Sequence, residues 1–270
     1  IIVIVPLSFN AEPYFTFTRD MLALDPDGFS LRWYDRLLTY GMTAPDAVRD
    51  GAWWADAWAN SQWIHAAKNS FIIGISSTLI ATGLGTLAAL GLSRPEMPFR
   101  RAVMALLISP MIVPMIISAT GLFFFYSKAG LAHTYVGIVL AHAMLGIPFV
   151  IITVTATLAG FDRSLIHAAA SLGASPVTTF RKVILPLILP GVISGALFAF
   201  VTSFDEVVVV LFVASYDQQT IPLQMWNGIR EQISPTILAA ATILILFSIA
   251  LLTTLELLRR RTERLRGLAG

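Results

Sequence analysis

Long stretches of this chain carry no charged side chain, and short polar segments separate them. Residues 69–93 and 102–127 hold no Asp, Glu, Lys or Arg, and neither does the run 129–161, which turns apolar near Tyr135. Residues 187–215 are interrupted only by Asp205 and Glu206, and 232–255 are again uncharged. Each run reaches the ~20 apolar residues that a helix needs to cross a bilayer. None alternates apolar with polar positions, so the runs read as helices rather than strands of a closed barrel. The opening IIVIVPLSFN is too short for a span before the first charge, Glu12. It is read as the outer end of a first helix whose beginning precedes Ile1. The pattern predicts an all-α integral membrane protein with six transmembrane helices, the first truncated, in a single domain over 1–270.

Composition agrees. The chain is 56% hydrophobic and 13% charged, with a mean hydropathy of +0.76, more apolar surface than a soluble domain can hide. A formal charge of +2 is too small to argue for nucleic acid, and without cysteine there is no disulfide framework or thiolate metal site. His65, His133, His142 and His167 are dispersed and pair with no carboxylate cluster in the sequence, so no metal site is expected. No Ser/His/Asp or Cys/His arrangement points to catalysis.

Charge also orients the chain. Alternation places 94–101, 162–182 and the tail from Glu256 on one side, with 11 Lys/Arg against four Asp/Glu. The opposite side, 12–68, 128 and 217–231, has seven against ten. The basic side is expected to be cytoplasmic, which puts both termini inside and segment 11–68 outside. That outer segment carries Trp33, Trp53, Trp54, Trp58 and Trp63. Two readings stay open for it: an aromatic belt at the membrane interface, or a docking surface for another protein.

Residues 161–191, FDRSLIHAAASLGASPVTTFRKVILPLILPG, are polar enough to lie on the inner face. Asp162 is placed to cap a short helix through 167–170, and Gly173 to end it in a left-handed conformation. Ser175-Pro176 restarts a helix as N-cap and first-turn residue. Pro186 and Pro190 are expected to break that helix before the fifth span.

This segment resembles the EAA loop of ABC importer permeases: Glu-Ala-Ala, three residues, Gly, then an apolar stretch ending in Leu-Pro. The matching residues are His167-Ala168-Ala169, Gly173-Ala174-Ser175-Pro176, Phe180, Leu185-Pro186 and Pro190-Gly191, with His167 replacing the usual Glu. The stretches Pro6–Asn10, Phe29–Tyr34, Ser203–Val208 and Thr220–Leu223 are similar to the spermidine/putrescine permease branch. The resemblance covers essentially the whole chain. It implies the type I importer fold, a bacterial inner-membrane location and a loop at 161–186 that couples to an ATPase. It also implies four partners beside the lipid bilayer: a second permease subunit of different sequence, two cytoplasmic ATPase subunits and a periplasmic substrate-binding protein. ATP and magnesium would belong to the ATPase, and this chain would be neither an enzyme nor a cofactor carrier. The transported solute would be a polyamine or related amine. Similar spermidine permeases carry an Asp just after the Ser-Pro of the third span, where this chain has Met111, so other amines stay open.

Asp205 and Glu206 are the carboxylates within a span, where ionisable groups are costly and face a cavity or a partner. If the fifth span is one helix from near Gly191, Asp205 lies roughly 20 Å along it, and the two carboxylates point about 100° apart. Candidate pathway residues are therefore Ser203, Asp205, Glu206, Trp33 and Met111, with Asp205 favoured over Glu206. Thr82-Gly83-Leu84-Gly85-Thr86 lacks the lysine and strand of a phosphate loop and reads as close helix packing. Pro110, Pro114 and Pro148 are expected to bend their helices. An ion-coupled secondary transporter, with Asp205 or Glu206 as ion site, is the alternative, but it would show inverted repeats and leaves 161–191 unexplained. An intramembrane enzyme would need a constellation that is absent.

Overall fold

In the computed structural model of the chain, residues 1–265 are described except 95, 163, 232 and 233, with side chains undescribed at 231 and beyond 253. The main helices are α1 (Arg32–Thr39), α2 (Gly51–Asn60), α3 (Gln62–Leu92), α4 (Arg100–Ile112), α5 (Met115–Ala129), α6 (Tyr135–Ala159), α7 (Ser164–Ser171), α8 (Pro176–Phe204), α9 (Val208–Val213), α10 (Ile221–Glu231) and α11 (Thr236–Leu265). Among the described residues the extended backbone amounts to one isolated antiparallel bridge, Asn10 to Phe29.

Four helices are long and apolar enough to cross a membrane: α3, α6, α8 and the Thr236–Thr253 part of α11. The pair α4 and α5 passes the same test only as a span bent by 101°. Pro114 makes that bend: it excludes the helical conformation at Val113, which is extended at φ −69°, ψ 133°. Pro110 and Pro148 stay inside their helices. At the start of the chain, where the outer end of a truncated first span is expected, the helical part is Ile4–Leu7.

The chain divides into two compact units, Ile1–Lys68 with Thr220–Gly270, and Asn69–Gln219. In the first, Trp33, Leu37, Trp63, Ala239 and Ala240 form a core. Fully buried Asn10 organises the N-terminal turn: its amide donates to the carbonyls of Tyr14 and Thr16, each at 2.9 Å, and its side-chain oxygen accepts from Glu12 N–H. Asp50 caps α2 by accepting from the N–H groups of Ala52 and Trp53. Trp33, Trp53 and Trp63 are buried, leaving Trp54 and Trp58 as the exposed members of the tryptophan set.

In the second unit α8 packs along α6 over a core of Ala81, Ala89, Ala143, Val150, Val154, Ile188 and Ala199. Small residues let the backbones close: a Cβ on Gly195 would fall 2.5 Å from Thr153 Oγ1 and 2.7 Å from Val150 Cα. Gly85 is used the same way, since its Cβ would meet Val150 Cβ at 2.7 Å, whereas Gly83 faces open space. A polar clasp holds the segment after α9. Asn69 Nδ2 donates to the carbonyls of Asp217 and Gln219, Tyr135 Oη donates to Asn69 Oδ1, and Gln218 Nε2 donates to the carbonyl of His133.

Candidate functional site

Two places in the second unit interrupt its helices and carry the polar chemistry. At the first, Asp162 starts α7 by accepting from the Ser164 N–H at 2.9 Å and the Ser164 hydroxyl at 2.7 Å. Those bonds, the hydroxyl's first, hold the Asp162 carboxyl below the usual carboxylate range. Gly173 takes φ +75°, and the N–H groups of Gly173 and Ala174 return to the carbonyls of Ala170 and Ala169. Ser175 Oγ then accepts from Thr178 N–H, and Pro176 opens α8.

The expected break at Pro186 and Pro190 does not form. The helix runs continuously from Pro176 to Phe204. A π turn over Phe180–Ile184 precedes Pro186 and widens the backbone where the proline ring would otherwise strike the preceding turn. On the loop surface His167, Ala168 and Gly173 are exposed. So are the apolar side chains of Leu165, Leu172 and Val177, with Leu172 88% accessible. Ala169 is buried, Ala174 is half-buried, and Ser175 and Pro176 are exposed. Small and apolar groups are thus exposed where α7 gives way to α8.

The second interruption lies at Asp205–Val207. The fifth apolar stretch is not one helix: α8 ends at Phe204 and α9 begins at Val208. The 100° relation expected of adjacent helical residues therefore does not apply. Asp205 closes α8 with its N–H on the carbonyl of Val201, and the residue is exposed. Glu206 is 6% accessible and turns back over the start of α9, where its carboxylate accepts from the N–H groups of Val208, Val209 and Val210. A carboxylate here satisfies the orphan donors of a helix start within an apolar environment.

Beside Glu206 stands His142 of α6, fully buried. Its Nδ1 lies 2.7 Å from Ser203 Oγ, and Ser77 of α3 donates to the same Ser203 oxygen at 3.0 Å. Its Nε2 lies 3.7 Å from Glu206 Oε2. The sequence placed His142 beside no carboxylate cluster; the structure brings it to this single carboxylate. The missed signal was an imidazole in the middle of the uncharged apolar run that starts near Tyr135, where a buried polar ring needs a partner. Ser203 and Glu206, three residues apart, were available on one helical face.

The remaining candidates belong to other elements. Met111 is 46% exposed on α4, just before the bend. Trp33 belongs to the first unit and is 5% accessible. Its indole N–H donates to the Asn10 carbonyl at 2.7 Å, and the Arg32 guanidinium covers its ring at 4.3 Å. Pro13, Arg32, Trp33 and Arg36 line a hollow of about 280 Å³. Trp33 therefore packs a core with most of its surface. Among the described residues no group of His, Asp and Glu is arranged to hold a metal ion. The arginines of the tail 259–266, which anchored the orientation argument, have side chains outside the described residues.

Comparison with known proteins gives one answer. Residues 81–264 match the family described as the inner membrane component of binding-protein-dependent transport systems. The spermidine/putrescine transport system permease protein PotC of Haemophilus influenzae is 34% identical over 97% of this chain and 91% of its own. The putrescine transport system permease protein PotI of Escherichia coli is 30% identical over 86% of this chain and 78% of its own. Among solved structures, a bacterial ABC transporter involved in import of the acidic polysaccharide alginate superposes with a TM-score of 0.67 at 16% identity, covering 94% of this chain and 88% of that one. The MetNI methionine transporter, in an inward-facing form, gives 0.56 at 18% identity over 74% and 93%. These likenesses support the type I permease fold, and the chain belongs to the inner-membrane permease subunits of ABC importers.

Proposed function

We propose that this chain forms one half of a polyamine-conducting pathway, paired with a second permease chain of different sequence. The observation that carries the reading is an exposed carboxylate, Asp205, at a helix interruption, in a chain similar over nearly its full length to a spermidine/putrescine permease. A carboxylate in a partly hydrated position offers a passing cation a weak partner, and weak binding leaves release fast. Two cytoplasmic ATPase subunits would bind ATP and magnesium and close on each other, and the 161–186 loop would carry that motion to the helices. A periplasmic binding protein would deliver the solute. Transport by alternating access then needs only that nucleotide and loaded binding protein favour different states.

The test is uptake of labelled spermidine and putrescine by the assembled complex. Asp205→Asn is expected to lower uptake severalfold while basal ATP hydrolysis persists. Wild-type uptake by that variant, or a complex that moves neither amine, overturns the reading.

The proposal extends to six spans, with both termini cytoplasmic and 11–68 and 217–231 outside. It rests on the charge asymmetry. In this cysteine-free chain, Ala59→Cys, at an exposed position beside the buried Ser61, and Asp217→Cys should react with an impermeant thiol reagent in right-side-out vesicles, and Thr262→Cys should not. Reaction at 262 reverses the orientation.

A further inference from the structure

The interruption at Asp205–Val207 contains neither glycine nor proline, so something other than local backbone preference must hold it. Apolar β-branched residues follow it, and in a membrane a helix that simply continued would satisfy every backbone group. Glu206 supplies part of the answer by capping α9. A carboxylate on a turn can swing with the turn, so the cap alone does not fix where the break sits. The end of α8 is held separately. Ser203, one turn before Glu206, is 4% accessible and receives two polar groups from two other helices: Ser77 of α3 at 3.0 Å and His142 of α6 at 2.7 Å.

Ser77 Oγ lies within reach of two acceptors, the Gly74 carbonyl at 3.1 Å and Ser203 Oγ at 3.0 Å, so its single proton is shared between them. Nε2 of His142 has no hydrogen-bond partner and faces the Glu206 carboxylate at 3.7 Å. One ring thus fixes the last turn of α8 through Nδ1 and faces the cap of α9 through Nε2.

We propose that Ser77, Ser203 and His142 form a buried brace that fixes the break in the fifth apolar stretch, and that His142 is a positioning residue for Asp205. The brace holds the register at Ser203, and Asp205, two residues on, is thereby kept outward while Glu206 is kept inward. The inference rests on the pathway reading of Asp205 only for its consequence in transport, because the brace itself is a statement about geometry.

Labelling separates the two. In the assembled complex, Asp205→Cys supplies the only thiol of this chain, and its rate of reaction with a small methanethiosulfonate reports how exposed position 205 is. Losing one buried hydrogen bond shifts a conformational balance by roughly two- to tenfold. Position 205 is exposed in the braced arrangement, and releasing the brace lets the turn carry it inward for part of the time. His142→Ala should therefore slow labelling by about that factor. His142→Asn places an amide where Nδ1 stood, keeps the Ser203 bond and should restore both the labelling rate and, in the chain with Asp205 intact, amine uptake. His142→Gln places its amide near the Nε2 position and should restore neither.

Wild-type labelling in all three variants overturns the brace. Rescue by Gln and not Asn overturns it as well, because the contact that matters would then be with Glu206 rather than the serines. If His142→Ala does not assemble, the Asn and Gln pair carries the same decision. Slowed labelling alongside a silent Asp205→Asn in uptake supports the brace and removes the pathway role of Asp205 instead.

Discussion

The second unit interrupts its helices at two polar places, and it does so by opposite means. Around Gly173 every stop and start is made within the local sequence. Asp162 caps α7, the left-handed glycine ends it, and Ser175 with Pro176 begins α8. The side chains that make these turns are exposed. At Asp205–Val207 no residue is a helix breaker. The interruption is held by a buried carboxylate over the start of α9 and by a histidine and a serine from α6 and α3. A turn built from local caps on a surface is free to rock as one piece. A break built from tertiary hydrogen bonds is tied to three helices and moves only when they do. A coupling element wants the first property, and a group presented to a pathway wants the second.

The largest effect is expected at the loop. Gly173→Pro cannot take φ +75°, and Ala174→Trp puts a large ring at a half-buried position beside the exposed Leu172 and Gly173. Either change should leave membrane insertion intact and reduce both uptake and stimulated ATP hydrolysis to background. Normal transport by correctly inserted Gly173→Pro would mean that the loop conformation does not matter for coupling, and the contrast between the two interruptions would lose its functional half.

The same contrast explains what the sequence discloses. The loop turns were legible because each depends on a residue with a fixed local preference, and the chain spells them in order: Asp162, Gly173, Ser175, Pro176. All of α6, α3 from Asn69 and α8 from Leu187 were legible as charge-free runs. Three features were not. Pro186 and Pro190 read as breakers, yet a π turn absorbs them and the helix runs through. The bend between α4 and α5 was expected as a proline bend, but its size, 101°, depends on the extended residue Val113 before Pro114. The break at Asp205 was invisible because its cause is the hold on Ser203 by His142, 61 residues from that serine, and Ser77, 126 from it. Local propensity is silent about such a partner. Trp33 stands in a stretch similar to polyamine permeases and is a pathway candidate on that resemblance; the structure adds that its indole N–H donates to the Asn10 carbonyl.

A smaller effect sharpens the comparison by measuring the two caps against each other. Ser175→Ala removes one exposed acceptor from the start of α8, where water replaces it, at a cost of about 1 kcal/mol. Glu206→Ala strands N–H groups at Val208, Val209 and Val210, and the last two residues are buried. Each buried donor left without a partner costs about 1–3 kcal/mol, so Glu206→Ala should destabilise the purified complex severalfold more than Ser175→Ala. Glu206→Gln keeps one acceptor oxygen and gives up the charge that faces the helix start, which places it between the two. Thermal midpoints of the three complexes in one detergent give the order directly. If Ser175→Ala lowers the midpoint as far as Glu206→Ala, water reaches the Val209 and Val210 amides. The break at Asp205 is then a wet turn like the one at Gly173, free to rock in the same way.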